Sequence, residues 1–295
     1  MVPARHSRGF TLIEMSVVLV IIGFIVAAII TGRDLIKSSG IRATISQIDR
    51  YNSAVAAFTD KYGYIPGDIL STKAQSYGLY YCSGASSNTI SCGNGNGLLQ
   101  GSTAISPTNF ATGGTLMGEN LMFFLHLSQT GLIDGSYGAS GADVTISGAT
   151  PTGGSSSSIP AVTVATTIKT TGEILPAAKL GAGNFISVGS AGNLNYYILA
   201  GISAINTSGA VTATNNLSPV DAYMIDSKTD DGLPATGTVY AIDPTSTVLS
   251  AANGTGLTTA SPAATHCVNS GIYNTGNSTY ASALVCSLTF QMSVH

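Results

Sequence analysis

The chain begins with a long apolar segment that carries a single charge. Residues 10–30 are hydrophobic almost without interruption, and Glu14 is the one ionisable residue among them. These 21 residues are enough for a helix to cross the hydrocarbon core of a bilayer, which is ~30 Å thick. Because a charge inside a membrane helix is costly and usually has a functional partner, Glu14 is the first candidate functional residue.

Basic residues lie on the N-terminal side of this segment. Arg5 and Arg8 precede it, whereas Arg33 follows it beside Asp34. The positive-inside rule therefore places residues 1–9 in the cytoplasm and the chain beyond the apolar segment on the other side of the membrane. A secretory signal peptide would have a shorter apolar run that is closed by a small-residue cleavage site.

A helical pattern continues beyond the apolar segment to residue 62. One face is polar and carries Arg42, Gln47, Asp49, Arg50 and Lys61. The other face is apolar, with spacings of three and four between Ile41, Ile45, Ile48, Tyr51, Val55, Phe58 and Tyr62. We therefore expect one rod from Phe10 to Tyr62, about 80 Å long at ~1.5 Å per residue. Gly63 and the turn signal Ile65-Pro66-Gly67-Asp68 are expected to end it.

The rest of the chain alternates short helical and strand-like patterns. Two further helices are predicted, at Leu116–Ile133 with Leu121, Phe124 and Leu125 buried, and at Pro219–Lys228. Strand patterns occur at Ile159–Ile168, Phe185–Val188, Asn195–Ile202, Thr238–Ile242 and Ala283–Phe290. One long helix followed by short helices and an antiparallel sheet predicts an α+β fold.

Two stretches rich in Gly, Ser, Thr and Asn are predicted to be loops. Gly78–Phe110 is interpreted as a surface loop, and Gly135–Ser158 as a long low-complexity loop. The string Gly93-Asn94-Gly95-Asn96-Gly97 is interpreted as a flexible turn, because no lysine follows it as in a phosphate-binding loop. His126, in the second predicted helix, is expected at the boundary of the core.

The start of the chain carries a recognisable motif. Arg8-Gly9 is followed by Phe10-Thr11-Leu12-Ile13-Glu14 and then by the apolar run. Over about thirty residues this arrangement resembles the class III leader of type IV pilins and of the pseudopilins of type II secretion. The resemblance implies that a prepilin peptidase cuts after Gly9 and that the new amine of Phe10 is methylated. It also implies that Glu14 neutralises the Phe10 amine of a neighbouring subunit during assembly.

This resemblance implies a pilin-like organisation of the whole chain. Residues 1–9 would be a cytoplasmic leader that is removed, and 10–30 a transmembrane or filament-core helix. Residues 31–62 would continue that helix as an amphipathic segment, and 63–295 would form a periplasmic or extracellular globular domain. The subunit would wait in the bacterial inner membrane before it enters a surface filament or a periplasmic pseudopilus.

Three functions are compatible with the leader. The first is a structural subunit of a type IV pilus-like filament, which is a polymer of this chain. The alternatives are a pseudopilin of a type II secretion system and a minor pilin at the filament tip with an adhesive or binding role. The resemblance further implies an assembly ATPase and a platform membrane protein as partners.

Composition narrows the function classes further. Only 8% of the residues are charged while 44% are hydrophobic, and the net charge is −3. Low charge with many apolar segments is not typical of a disordered chain. A nucleic-acid partner is not expected, because that surface would need clustered Lys and Arg. Motifs of the form H-E-x-x-H or G-x-S-x-G do not occur in the sequence, so we expect no enzymatic activity.

The four cysteines fall into two pairs that are close in sequence. Four cysteines allow three connectivities, and the local pairings Cys82–Cys92 and Cys267–Cys286 are favoured in an exported domain. Metal binding is the competing interpretation. Neither pair has the C-x-x-C spacing of a zinc site, which argues against it.

An acidic cluster follows the last predicted helix. Asp226 and Asp230 stand four residues apart near the negative end of that helix, which is unfavourable for two like charges. A calcium ion bound by Asp226, Asp230, Asp231 and nearby carbonyls would offset the repulsion. The alternative is a turn that ends the helix, with Gly232 as its C-cap and Pro234 preventing its continuation. The string lacks the D-x-D-x-D alternation of dedicated calcium loops.

Overall fold

The computed structural model describes nine stretches of the chain. They are residues 11–81, 93–99, 118–137, 144–147, 161–164, 171–191, 193–205, 211–242 and 267–293. Gly9 and Phe10 lie outside the described residues, and so do Cys82 and Cys92 with the disulfide predicted between them.

One helix, α1 (Leu12–Tyr62), contains 51 residues and spans the length of the rod that the sequence predicts. At ~1.5 Å per residue it is about 75 Å long. Thr11 is its N-cap. Gly63 ends it in the left-handed conformation, with φ 74° and its N–H donating to the Thr59 carbonyl at 2.8 Å. Only glycine adopts this conformation without steric cost, which explains why the helix ends there.

The two halves of α1 have opposite environments. Every side chain from residue 11 to residue 30 is exposed, although almost all are apolar. In the second half, one face is buried against the domain by Ile41, Thr44, Gln47, Ile48, Tyr51, Ala54, Val55 and Phe58. This buried face follows the three- and four-residue spacing of the sequence, so the amphipathic pattern reports packing within the subunit.

The remaining elements are short. The helices after α1 are α2 (Ser71–Ser76), α3 (Gly118–Gln129), α4 (Thr171–Ile174) and α5 (Pro219–Thr229). The strands are β1 (Val144–Ser147), β2 (Ala161–Val164), β3 (Asn184–Ala191), β4 (Leu194–Ile205), β5 (Val211–Thr214), β6 (Val239–Ile242), β7 (Val268–Asn269), β8 (Ile272–Tyr273) and β9 (Ser287–Gln291).

A five-stranded antiparallel sheet packs against α1. Its order is β3-β4-β9-β6, and β5 also pairs with β4. On β4, Tyr197 and Leu199 belong to the core cluster shared with α1, whereas Ile198 and Ala200 form a second cluster. This alternation is the two-residue period of a strand that is covered on both faces. Together these features confirm the α+β fold, with a long N-terminal helix on an antiparallel sheet.

A polar clamp fixes α1 to the segment that leads into β3. The Thr44 hydroxyl accepts from the Leu180 amide at 2.8 Å, and the Gln47 side chain bonds both the Lys179 amide and the Ala177 carbonyl. A Cβ on Gly40 would lie 3.0 Å from the Leu180 Cα, so the two backbones approach closely. The clamp gives hydrogen-bond partners to partly buried backbone groups, and such a group costs up to ~1–3 kcal/mol when it is left unpaired.

Three loop and boundary predictions are wrong in detail. The predicted loop Gly135–Ser158 contains strand β1, which pairs with β2. The predicted surface loop Gly78–Phe110 contributes Leu79, Tyr81 and Leu99 to the core. His126 is only 1% exposed rather than at the boundary of the core. In each case contacts with residues distant in sequence override the local composition.

Candidate functional site

The Glu14 carboxylate folds back onto the start of its own helix. The Thr11 amide and the Thr11 hydroxyl both donate to Glu14 Oε2, at 2.7 and 2.8 Å. In return the Glu14 amide donates to the Thr11 hydroxyl at 3.3 Å. This is a capping box, which satisfies amides that the first turn of a helix leaves without partners.

The sequence contains the signal for this contact, because a capping box is written as T-x-x-E and Thr11 stands three residues before Glu14. Sequence reasoning missed Thr11 because the resemblance directed attention to the neighbouring subunit. The carboxylate also lies at the N-terminal, positive end of the helix dipole, where acidic residues are favoured. Glu14 is therefore stabilised within the monomer and still exposed on its surface.

The helix surface around Glu14 is apolar on all sides. Large exposed side chains recur along the first half of α1, among them Leu12, Leu19 and Phe24 at 89%, 70% and 74%. A helix that is hydrophobic all round is normally buried in a protein or a membrane. This helix is long and apolar enough to cross a membrane. No other part of the described chain covers its apolar first half.

The structure brings the three predicted calcium ligands together at the end of α5. Carboxylate oxygens of Asp226, Asp230 and Asp231 all lie within 4.8 Å of one another. Asp226 is buried, Asp230 is half-buried and Asp231 is exposed. Carboxylate oxygens are the type of ligand that Ca²⁺ takes, and three of them would supply part of its coordination shell.

Each of these carboxylates also accepts hydrogen bonds from the protein. Asp226 accepts from the Tyr273 hydroxyl at 2.7 Å and from the Gly232 amide at 3.2 Å. Asp231 accepts from the Leu233 amide and the Thr236 hydroxyl, and Asp230 from the amides of Thr238 and Val239. These bonds organise the turn from α5 towards β6, so the cluster has a structural role whether or not it holds an ion.

The end of α5 differs from the one that the sequence predicts. Gly232 was expected to be the C-cap of the helix, and that prediction is wrong: α5 ends at Thr229 and Asp230 is its C-cap. Asp230 takes this place because its carboxylate can bond the amides of the strand that follows.

Burial raises the pKa of Asp226 to about 6, although the Tyr273 hydroxyl and the Gly232 amide act in the opposite direction.

A disulfide secures the same corner of the domain. Cys267 and Cys286 are joined across 19 residues, with both side chains buried. The bond links the start of the β7–β8 hairpin to the residue before β9. Because Tyr273 belongs to that hairpin, the disulfide also holds the Tyr273 hydroxyl against Asp226.

Comparison with known proteins gives one match. Residues 4–30 match the family described as the prokaryotic N-terminal methylation motif. Comparisons with curated proteins and with solved structures find no match. The matched residues include Gly9, Phe10 and Glu14, and a motif of this type implies processing by a prepilin peptidase and the pilus assembly machinery. The chain therefore carries the class III prepilin leader of type IV pilins and pseudopilins.

Proposed function

We propose that the chain is the structural subunit of a type IV pilus-like filament. The observation that carries the proposal is the first half of α1, which is apolar on all sides, exposed, and interrupted by one capped carboxylate. In the inner membrane this surface is covered by lipid. In a filament it would be covered by the same segment of other copies, with the globular domains on the outside.

Glu14 would set the register between neighbouring copies. Cleavage after Gly9 gives Phe10 a free amine, and this amine needs a negative partner in an apolar core. Glu14 lies four residues further along the helix, so pairing it with the Phe10 amine of a neighbour shifts the two helices by ~6 Å along their axes. Only this stagger brings the two charges together, which makes it the favoured arrangement.

Cohesion of the filament would come mainly from packing of the apolar helices. A Cβ added at Gly23 or at Gly32 would meet nothing within 4 Å inside the subunit. Neither glycine is therefore required by the fold of the monomer. Small residues are enriched where membrane helices pack closely against one another, which supports a role for this surface in contacts between copies.

The proposal includes partners, location and the absence of catalysis. The methylation motif is typical of structural proteins rather than enzymes. A prepilin peptidase would process the chain, and an assembly ATPase with a platform membrane protein would extract it from the inner membrane. The globular domain, from residue 63 onwards, would lie in the periplasm before assembly and on the cell surface afterwards.

Calcium binding by Asp226, Asp230 and Asp231 is a second part of the proposal. The close approach of three carboxylates and the burial of Asp226 support it, because a cation would offset their mutual repulsion. When bound, the ion would hold the end of α5 to the turn that follows. Tyr273 would orient Asp226 through its hydroxyl.

Mass spectrometry of filaments sheared from the cell surface tests the proposed function. The expected result is many copies per filament, each beginning at an N-methylated Phe10. Absence from surface filaments with assembly only in a periplasmic pseudopilus would instead identify a pseudopilin, and a single copy at the filament end would identify a minor tip subunit. Filament subunits that retain residues 1–9 would overturn the assigned processing.

A further inference from the structure

Asp68 lies just beyond the end of α1 and is almost completely buried, at 1% exposure. Three backbone amides of the segment Gly93–Gly97 donate to its carboxylate. Asn94 and Gly95 donate to Oδ1 at 2.9 and 2.7 Å, and Gly97 donates to Oδ2 at 2.6 Å. Successive amides that converge on one anion form a nest, a concave arrangement that binds negative charge. The segment predicted to be a flexible turn is thus an anion-binding loop whose anion belongs to the protein.

Glycine is required for this arrangement. Gly93, Gly95 and Gly97 have φ values of 80°, 72° and 83°. A Cβ on Gly93 would overlap the Ile69 carbonyl, and a Cβ on Gly67 would overlap the Glu119 carbonyl. The nest, the turn before Asp68 and the start of α3 therefore pack backbone against backbone.

A second carboxyl group faces the same nest. Glu119, in the first turn of α3, is 0% exposed. Its Oε1 lies 3.3 Å from the Asn94 amide, which also donates to Asp68 Oδ1 at 2.9 Å. The two carboxyl groups therefore meet at one backbone amide, and both side chains are buried. Two adjacent carboxylates in a buried site do not both ionise readily, so the pair keeps one proton.

Other contacts make the nest part of the core. The Asn195 side chain of β4 donates to the Gly97 carbonyl and accepts from the Leu99 amide, both at 2.8 Å. Among titratable groups, His126 faces the turn from α3 and accepts from the Gly67 amide at 3.0 Å. Tyr64 faces Gly95 from the exit of α1, since a Cβ on Gly95 would lie 3.1 Å from its ring.

We propose that Asp68 and Glu119 share one proton and that this proton acts as a pH-sensitive latch. With the proton in place, the nest at 93–97 is held against the end of α1 and the start of α3. Loss of the proton at higher pH places two negative charges side by side in the core without hydration, and the nest opens so that water can reach them. The latch would make the docking of residues 93–97 depend on the pH of the solution around the globular domain.

The sign of the effect follows from the proton count. In the open form both carboxyl groups are solvated and ionise near their ordinary pKa of about 4. The pair in the closed form has a higher pKa. At any pH between the ordinary carboxyl pKa and the pKa of the closed pair, the closed form therefore holds one proton more than the open form. Opening therefore releases one proton, and the opening constant rises about tenfold for each pH unit across this range.

Amide hydrogen exchange of the full-length chain in detergent micelles measures the opening. Exchange at Gly95 and Gly97 is followed between pH 5 and 9 in the wild type and in Glu119→Gln. The glutamine keeps a donor to Asp68 and an acceptor for Asn94 but does not titrate. Relative to this variant, the wild-type exchange rate should rise about tenfold per pH unit. Glu173→Gln is the matched control, because it makes the same substitution at an exposed position of α4 and should leave the difference unchanged.

Equal pH dependence in the wild type and in Glu119→Gln would overturn the proposal. If the variant does not fold, amides of β4 in the wild-type sample serve as the internal reference, since opening of the nest should not expose them. Parallel pH dependence of the nest and β4 amides would then contradict a local latch. A steeper dependence at the nest alone would support it.

Discussion

Thr11 and Glu14 form a closed hydrogen-bonded unit at the start of α1, in which the Thr11 amide donates to Glu14 Oε2 at 2.7 Å. The carboxylate on which assembly would depend is thus already satisfied within the monomer. In the proposed filament, a neighbour's amine would therefore add to, or replace, two donors that the carboxylate already has. This local cap lowers the cost of keeping Glu14 at the membrane before assembly.

Glu14→Ala should abolish filaments while the protein stays in the membrane. The apolar segment becomes more hydrophobic without the carboxylate, but the Phe10 amine of the next copy loses its partner. An unpaired charge in an apolar core costs several kcal/mol, so filament yield should fall at least ~10-fold. Quantitative immunoblots of sheared filaments and membranes measure both quantities. Ser16→Ala is the control, because the Ser16 hydroxyl bonds the Ile13 carbonyl of its own helix. Normal filament yield in Glu14→Ala would refute the role of the carboxylate in register.

Gly9→Val should block removal of the leader. The branched side chain would occupy the position before the cut, where the resemblance requires a glycine. We expect full-length chain only on a gel of membrane fractions, whereas Ala4→Val, within the leader but away from the cut, should be processed normally. A mature-sized band from Gly9→Val would place the cleavage elsewhere.

Calcium should raise the melting temperature of the protein through Asp226, Asp230 and Asp231. Asp226 must be ionised to bind the ion, and burial raises its pKa to about 6. The stabilisation by Ca²⁺ relative to EDTA should therefore be present at pH 7.5 and shrink at pH 5. Asp231→Asn should reduce it, and Asp60→Asn, an exposed change on α1, should not. Melting curves that are identical in Ca²⁺ and EDTA at pH 7.5 would contradict calcium binding by these residues.

His126 should make the domain less stable in mild acid. Burial lowers its pKa to about 4, and its ring accepts from the Gly67 amide while bonding the Tyr80 carbonyl. The folded state therefore holds the ring neutral, and its contribution is complete above the ordinary pKa of about 6.5. As pH falls from there to about 4, the unfolded state gains a proton that the folded state does not, which costs about 3 kcal/mol.

Urea unfolding of the full chain in micelles at several pH values measures this loss. His126→Gln should be less stable at neutral pH because two buried bonds are weakened, yet its stability should change less between pH 6.5 and 4.5. The other acidic groups of the chain are present in both proteins, so the comparison isolates the imidazole. Parallel pH profiles for the two proteins would show that His126 does not titrate as its surroundings require.

The clamp between α1 and the segment before β3 should be a major source of rigidity. Thr44→Val keeps the shape of the side chain but removes the acceptor for the Leu180 amide. Leaving that amide unpaired should cost ~1–3 kcal/mol of unfolding free energy. Thr31→Val changes an exposed position of the same helix, where the hydroxyl bonds the Ala27 carbonyl, and should cost far less. A similar loss in both variants would argue against the clamp.

The parts of the fold that local periodicity encodes could be predicted from sequence. The stripe from Ile41 to Tyr62 identified the buried face of α1, and Gly63 identified its end, because both depend on residues that are near in sequence. Strand β1 could not be found in this way, since four residues inside a Gly- and Ser-rich stretch carry too short a pattern. Its partner β2 lies beyond the same stretch.

The candidate site shows the same division. Glu14 and the capping partner Thr11 are adjacent enough to be read from the sequence. Asp68 meets the amides of its nest 26 to 29 residues away and Glu119 still further along the chain, so no local pattern reveals them. Buried polar groups of this kind become visible only when the tertiary fold brings their partners together.

A helical reconstruction of purified filaments by electron cryomicroscopy tests the central claim most directly. The account predicts that the Glu14 carboxylate lies within about 4 Å of the Phe10 amine of a neighbouring protomer, the distance of an ion pair. It also predicts that every protomer begins at Phe10. Filaments in which these two groups lie far apart, or in which residues 1–9 remain attached, would contradict it.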